Sequence, residues 1–362
     1  MKQNTTVKTT RKAQVWVSVG IDLGDSTSRV CVLGADAKVL TEFELKTTRE
    51  SIRARFQRKA TLIAVEAGTH SHWVSHLLEE LGHTVLVANP RQLYLISQSA
   101  KKSDRADALT LARLVKADAA LLSPIQPRHP EQQQHLTLLR ARAQLVEQRT
   151  ALLNSARSLV KPHGVRLRAR DAATPQAGLA DELPAALGDI IRPMLEAVDV
   201  LSAHIKDYDL KLDQLAAGHY PVVQKFRQIH GVGRIVALTY ALVIADPKRF
   251  RRSRQAGCYT GTTPRRDDSG QRSPQLGITK HGDAYLRAML TQSAQFMLGP
   301  LGKDCDLRRW GLHLCERGGK NAKKRAVTAV ARKLAVLLHK LWISEQPYDP
   351  FYNAKRQQAA AA

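Results

Sequence analysis

Ile191, Met194, Val198, Leu201, Ile205, Tyr208, Leu212 and Leu215 succeed one another in alternating steps of three and four residues. An α-helix gathers such a set into one stripe, whereas a strand, with its period of two, would scatter it over both faces. The chain is therefore committed to a long helix here, and its stripe must meet another helix to leave water. A second candidate lies upstream, where the pairs Leu138/Leu139, Leu145/Val146, Leu152/Leu153 and Leu159/Val160 recur every seven residues between 131 and 161. The stretch 162–187 between them is basic, then bears Ala, Gly and Pro, and reads as a loop. Periodicity does not name the stripe's partner: a helix of the same chain and a helix of a second copy satisfy it equally.

Ahead of this region the pattern changes. Residues 15–22, 29–33 and 39–45 read as strands, with a Gly-Ala-Asp turn at 34–36. A helix over 49–57, a strand over 61–65, a helix over 73–81 and a strand over 84–88 follow, and Asn89-Pro90 is a stop. Residues 105–117 read as an amphipathic helix with Ala108, Leu111, Leu114 and Val115 on one face. The order βββαβαβα predicts an RNase H-like α/β domain. Downstream, Gly231-Val-Gly233 marks a turn into a small-residue helix over 234–245. A glycine-rich loop spans 261–283, and helices are predicted over 284–297 and 326–343. The expected fold is thus α/β plus α. A basic leader, 1–14, precedes the RNase H-like domain at 15–125; a coiled-coil helical linker follows at 126–222, a mainly helical domain at 223–350, and a tail at 351–362.

Charge narrows the function. The 362 residues carry 56 Lys and Arg against 32 Asp and Glu, a formal charge of +24. Residues 229–362 alone hold 24 basic and nine acidic side chains, a net of +15, against +6 in 1–118 and +3 in 119–228. These bases sit among apolar helical residues, so a polyanionic partner is the simplest use for them. Aromatic residues are only 5%, which favours contacts to a nucleic-acid backbone over base stacking. The apolar run 235–245 is too short for a bilayer, which needs about 20 residues, so no membrane partner is expected. The leader lacks the apolar stretch of a signal peptide, and the cysteines at 31, 258, 305 and 315 form no CxxC pair. A reduced, cytoplasmic protein is expected.

Four acids stand out by position. Asp22 ends the first strand, Glu66 ends the fourth, and Asp104 and Asp107 lie one turn apart at the start of a helix. In an RNase H-like sheet the first and fourth strands are neighbours and the late helix crosses beside their ends. Carboxylates there can hold one or two Mg²⁺ ions. Taken singly each has a plainer use, since Asp104 and Asp107 also suit the positive end of a helix and Asp22 can simply end its strand. The opening Val19-Gly-Ile-Asp-Leu-Gly-Asp-Ser-Thr27 also resembles the first phosphate loop of the actin, sugar-kinase and heat-shock-70 ATPases. Their second phosphate loop and adenosine site find no match in suitable context, and a basic surface has no use in a sugar kinase.

The glycine-rich loop holds the other candidate. Ser269 precedes Gly270 amid Arg265, Arg266, Arg272 and Lys280. A serine hydroxyl attacks only when a base or metal activates it, and nearby guanidinium groups can stabilise charge on phosphorus. A solvated loop that grips phosphate, with an incidental serine, fits the same composition. A further basic cluster, Lys320, Lys323, Lys324 and Arg325, feeds the last predicted helix and suits a nucleic-acid backbone.

These motifs have a familiar order. Gly20-Ile-Asp22, Val65-Glu66-Ala67, Asn89-Pro90, Lys102-Ser-Asp104-Arg-Ala-Asp107-Ala108 and Gly231-Val-Gly233 come first. Thr263-Pro-Arg-Arg266 with Ser269-Gly270, and Thr279-Lys-His-Gly282 with Leu286-Arg287, complete the set. From about 15 to 351 the chain resembles the DEDD-type transposases of the insertion sequence 110 family, the bridge-RNA-guided recombinases related to the Piv invertases. The resemblance implies a RuvC-like domain, a coiled-coil linker and a C-terminal transposase domain. It assigns Asp22, Glu66, Asp104 and Asp107 as Mg²⁺ ligands and Ser269 as the nucleophile that forms a phosphoserine link. Donor and target DNA would be joined through a four-way intermediate, with an element-encoded guide RNA, at the bacterial nucleoid. It further implies a tetramer built from dimers, the serine of one subunit completing the acidic site of another.

The chain departs from the pattern after Glu66, where Ala-Gly-Thr-His-Ser-His stands in place of the common Ala-Thr-Gly-Thr-Tyr. His70 is accordingly read as a packing or phosphate-contacting residue rather than a metal ligand. Asp267-Asp268 makes the serine loop unusually acidic, 162–187 is longer than in short relatives, and Ser273 ranks second as nucleophile. Rival readings are a RuvC-like junction nuclease that uses water, a Piv-like invertase without guide RNA, and a non-catalytic nucleic-acid-binding protein.

Overall fold

A computed structural model of the chain describes residues 16–90, 103–270, 272, 274, 276–344 and 346–361. The basic leader 1–14, Lys102 and Ser273 lie outside the described residues. The chain divides into two compact units, Met1–Pro130 and Glu131–Ala362.

The first unit is built on a five-stranded sheet. Its elements are β1 (Ser18–Asp22), β2 (Thr27–Leu33), β3 (Val39–Lys46), α1 (Arg49–Phe56), β4 (Leu62–Glu66), α2 (Ser71–Glu80), β5 (Thr84–Ala88) and α3 (Asp104–Ala117). The strand order is β3-β2-β1-β4-β5, which makes β1 and β4 neighbours. β1 pairs antiparallel with β2 and parallel with β4, and β5 extends the parallel part. Helices cover both faces of the sheet. Val19, Ile21, Ile63 and Val65 pack with Ile52 and Phe56 of α1 and with Val74, Leu77 and Leu78 of α2. On the other face Ala64 and Ala88 meet Leu111, Leu114 and Val115 of α3. Burial on both sides explains why β1 and β4 are almost wholly apolar until their last residue.

In the second unit α4 (Pro130–Leu159) and α5 (Ala185–His219) form an antiparallel helical hairpin. Arg142 pairs with Asp209 at 3.2 Å, Arg149 donates to Ser202 Oγ at 3.3 Å, and Leu153 and Ala156 pack with Leu195 and Val198. The heptad stripe therefore finds a partner helix within its own chain. The connection expected as a loop is instead a folded cap. It contains two 3₁₀ turns, Lys161–His163 and Ala177–Glu182, and buries Leu167, Leu179, Ala180 and Leu183. The Asp199 carboxylate of α5 accepts the backbone N–H groups of Gln176 and Ala177 at 2.7 and 2.9 Å, anchoring the cap. Its leucines follow no regular period, so no repeat announces it.

The remaining helices are α6 (Val222–Arg227), α7 (Arg234–Ile244), α8 (Ser253–Tyr259), α9 (Ala284–Leu298), α10 (Asp306–Glu316), α11 (Ala322–Ile343) and α12 (Tyr352–Ala361). α7 is the centre: it is buried from Ala237 to Ile244, and Tyr240 Oη donates to the Ala335 carbonyl at 2.7 Å. Leu136, Leu139, Leu212 and Leu215 of the hairpin join the same core as α7, α9 and α11. Helix α11 starts four residues before its expected start and takes in part of the basic cluster, and the expected tail holds a helix. Among the described residues no helix is long and apolar enough to cross a membrane.

Candidate functional site

The acids are placed by strand alternation and by one close helix crossing. Ile21 of β1 is level with Val65 of β4, so Asp22 and Glu66 follow at the same strand ends, side by side. Side chains alternate across a sheet, and Val19, Ile21, Ile63 and Val65 face α1 and α2. Gly20, Asp22, Ala64 and Glu66 therefore face α3. Along that face Ser18 Oγ donates to the Ala112 carbonyl at 3.1 Å. Two residues further on, a Cβ added at Gly20 would lie 2.0 Å from the Ala108 carbonyl oxygen. Two strand residues rise about 6.6 Å and four helix residues about 6 Å, so α3 runs antiparallel to β1 in step with it. Continuing that step carries Asp104 toward the level of Asp22, with Asp107 one turn back.

The first turn of α3 is fixed by Ser103, whose Oγ accepts the Ala106 N–H at 3.3 Å. Asp107 is only 6% exposed, Asp22 and Glu66 are half-buried, and Asp104 is exposed. Oxygen-only donors of this kind suit a hard divalent ion such as Mg²⁺. His70 does not join them. Its Nδ1 accepts the Trp73 indole N–H at 3.0 Å, which leaves Nε2–H to donate to Asp25 at 3.1 Å. Both ring nitrogens are thus used locally, as a packing residue uses them.

The serine loop is a β-hairpin arm between α8 and α9. The Thr279 N–H donates to the Thr263 carbonyl at 2.8 Å and the Arg265 N–H to the Gly277 carbonyl at 2.9 Å. At the tip Ser269 and Arg272 exchange both backbone hydrogen bonds at 3.0 Å. Gly270 between them has φ of +55°, which a two-residue hairpin turn demands and a glycine adopts without strain. Ser269 therefore flanks the turn and is exposed, as are Arg265, Arg266, Arg272 and Lys280.

The base of the arm is clamped. Gly261 has φ of +70°, and a Cβ there would lie 1.9 Å from the His281 carbonyl oxygen, so the two sides touch backbone to backbone. Arg287 of α9 brings Nη1 within 3.2 Å of the Thr260, Lys280 and His281 carbonyls. Asp283 caps α9 by accepting the Leu286 N–H at 2.7 Å and is paired with Arg140. The sequence quotes Arg287 only as part of a motif; its anchoring role appears once three distant carbonyls converge on it.

Lys320, Lys323, Lys324 and Arg325 are exposed, the last three in the first turn of α11. Cations are disfavoured at that end of a helix, and a phosphate there would relieve them. Arg325 also has a structural task, donating to the Lys320 and Gly318 carbonyls at 2.8 and 3.0 Å. The four acids thus stand in the first unit, and Ser269 and the eight basic residues in the second.

Comparison with known proteins matches both halves. Residues 19–163, which include the four acids, match the DEDD_Tnp_IS110 family, described as a transposase. Residues 223–302, which include Ser269, match the family described as "Transposase IS116/IS110/IS902 family". The chain is 30% identical over 346 residues to "Putative transposase y4pF/y4sB" of Sinorhizobium fredii, covering 92% of this chain and 85% of that one. It is 29% identical over 341 residues to "Probable family 20 transposase" of Pseudomonas aeruginosa, covering 92% and 98%. It is 27% identical over 342 residues to "Transposase for insertion sequence element IS1111A" of Coxiella burnetii, covering 91% and 90%.

Proposed function

This chain belongs to the IS110 family of transposases, enzymes that cleave and join DNA, and on that premise we propose that it exchanges DNA strands through a phosphoserine link at Ser269. The observation that carries the reading is the shared face of the sheet: Asp22 and Glu66 abreast, with α3 bringing Asp104 and Asp107 toward them. The strand order β3-β2-β1-β4-β5 supports an RNase H-like, RuvC-like fold for 15–125. The helical hairpin fits a linker over 126–222, and the helices beyond it a transposase domain over 223–350.

Asp22, Glu66, Asp104 and Asp107 would hold one or two Mg²⁺ ions, which supply stabilisation of charge on the attacking and leaving oxygens of a phosphodiester. Ser269 Oγ gives its proton to a carboxylate of the acidic set and forms a bond to the scissile phosphorus. The backbone P–O bond breaks, and the released strand end takes a proton and leaves as a hydroxyl. In the reverse step a hydroxyl end of another strand attacks the phosphoserine, so Ser269 is regenerated and no external energy source is consumed. Arg265, Arg266, Arg272 and Lys280 hold the phosphate as its charge develops, and Lys320, Lys323, Lys324 and Arg325 grip nucleic acid further along. Donor and target DNA are the substrates, an element-encoded RNA is the guide, and a tetramer lets the serine of one subunit serve the acids of another.

The test is covalent trapping on nicked DNA with Mg²⁺. The parent protein is expected to become linked to cleaved DNA, Ser269→Ala to form no link, and Asp107→Asn to lose cleavage while remaining folded. DNA cleaved by Ser269→Ala at the parental rate would instead assign the attack to water. Recombination undiminished by RNase would remove the guide from the proposal.

A further inference from the structure

At the end of the helical hairpin opposite the folded cap, two histidines and a glutamate converge. Glu131 and His135 stand four residues apart on the first turns of α4, on one helical face. His219 is the last residue of α5, which the antiparallel packing returns to the same place. Glu131 Oε1 lies 3.4 Å from His219 Nδ1 and 3.9 Å from His135 Nε2, and the three ligand atoms all lie within 4.8 Å of one another. The two imidazole centroids are 5.1 Å apart.

We propose that Glu131, His135 and His219 form a binding site for a transition-metal cation of the zinc class. Four-coordinate zinc holds nitrogen and carboxylate ligands at about 2.0–2.2 Å, which sets neighbouring ligand atoms roughly 3.3–3.6 Å apart. One side of the triangle already has that length, and a small inward turn of His135 supplies another. The second ring nitrogen of His135 is oriented as a metal ligand requires: Nδ1 lies 2.8 Å from Tyr220 Oη. With Nδ1–H donating to the phenol, the Nε2 lone pair is turned toward Glu131.

Two nitrogens and one oxygen select a borderline ion over Mg²⁺, which prefers oxygen alone. The site is therefore chemically distinct from the four carboxylates of the first unit. Glu131 and His219 are exposed, leaving a fourth position to water. A metal here would tie the first turns of α4 to the last turn of α5, closing the hairpin where the second unit begins.

The experiment uses the untagged full chain, stripped with a chelator and then given Zn²⁺ alone, with bound zinc measured by elemental analysis. Stoichiometric zinc is expected on the parent, undisplaced by excess Mg²⁺, and is expected to be lost in His219→Gln and in Glu131→Gln. Tyr220→Phe is expected to weaken binding roughly 10- to 100-fold while leaving the ligands in place. Co²⁺ should give the visible bands of four-coordinate geometry in the parent only. Circular dichroism checks that both exposed-site variants are folded. No zinc on the parent, or equal zinc and identical Co²⁺ spectra in parent and variants, would overturn the proposal and leave an ordinary ion pair.

Discussion

Gly20→Ala is the smallest change that probes how the acids are held. A Cβ at this position would come 2.0 Å from the Ala108 carbonyl oxygen, 2.5 Å from the Ala112 nitrogen and 2.9 Å from Leu111 Cβ. The first two are helix backbone atoms, which have no side-chain torsion with which to swing aside. Comfortable contact needs roughly 3.5 Å, so α3 must lift from β1 by roughly an ångström or more. Overpacking of this kind costs about 1–3 kcal/mol, and a backbone-on-backbone clash belongs near the top of that range. The lift carries Asp104 and Asp107 away from Asp22 and Glu66, and a displacement of about 1 Å at a reacting centre costs on the order of 10²-fold in rate. The assay pairs Mg²⁺-dependent DNA cleavage with amide exchange across β1 and α3. Gly68→Ala is the control, because a Cβ there meets nothing within 4 Å and should leave both readouts at parental values. Parental cleavage and protection in Gly20→Ala would refute the reasoning that close packing of α3 on β1 positions the acids.

Other expectations follow from single contacts. Arg287→Met removes a guanidinium from three carbonyls and should cost about 1–2 kcal/mol in urea unfolding, given its partial exposure, and speed proteolysis within 261–283. Tyr240→Phe loses the buried bond to the Ala335 carbonyl and should cost about 1 kcal/mol with DNA cleavage unchanged. Burial, helped by Glu42, pushes the Cys31 thiol up to about 11, so native protein at pH 8 should leave it unalkylated while the exposed Cys258 is modified, as read by peptide mass. Asp199→Ala should loosen the cap between α4 and α5, raising amide exchange at Gln176 and Ala177 without altering α7.

Much of this molecule is legible in one dimension. Strand and helix bounds in 15–117 follow from local alternation and period, and β1, β4 and α3 fall within three residues of expectation. The long helices follow from their heptads, and the acids from their places at element ends. Ser269 was legible as a residue but not as a position. Its arm has no alternating apolar flanks, so the hairpin depends on a glycine turn and on Arg287 from a later helix. The cap within 162–187 is not legible for a similar reason, since its leucines are buried only where the ends of two helices meet.

Residue type and near-neighbour spacing are enough to mark the strands, the long helices, the four acids, Ser269 and the family resemblance. Tertiary structure decided that the heptad stripe is met within the chain, that Asp22 and Glu66 lie abreast, and that Glu131, His135 and His219 converge. Each of those facts joins residues tens of positions apart, and only packing, which closes such loops by burying apolar surface, determines which distant groups meet.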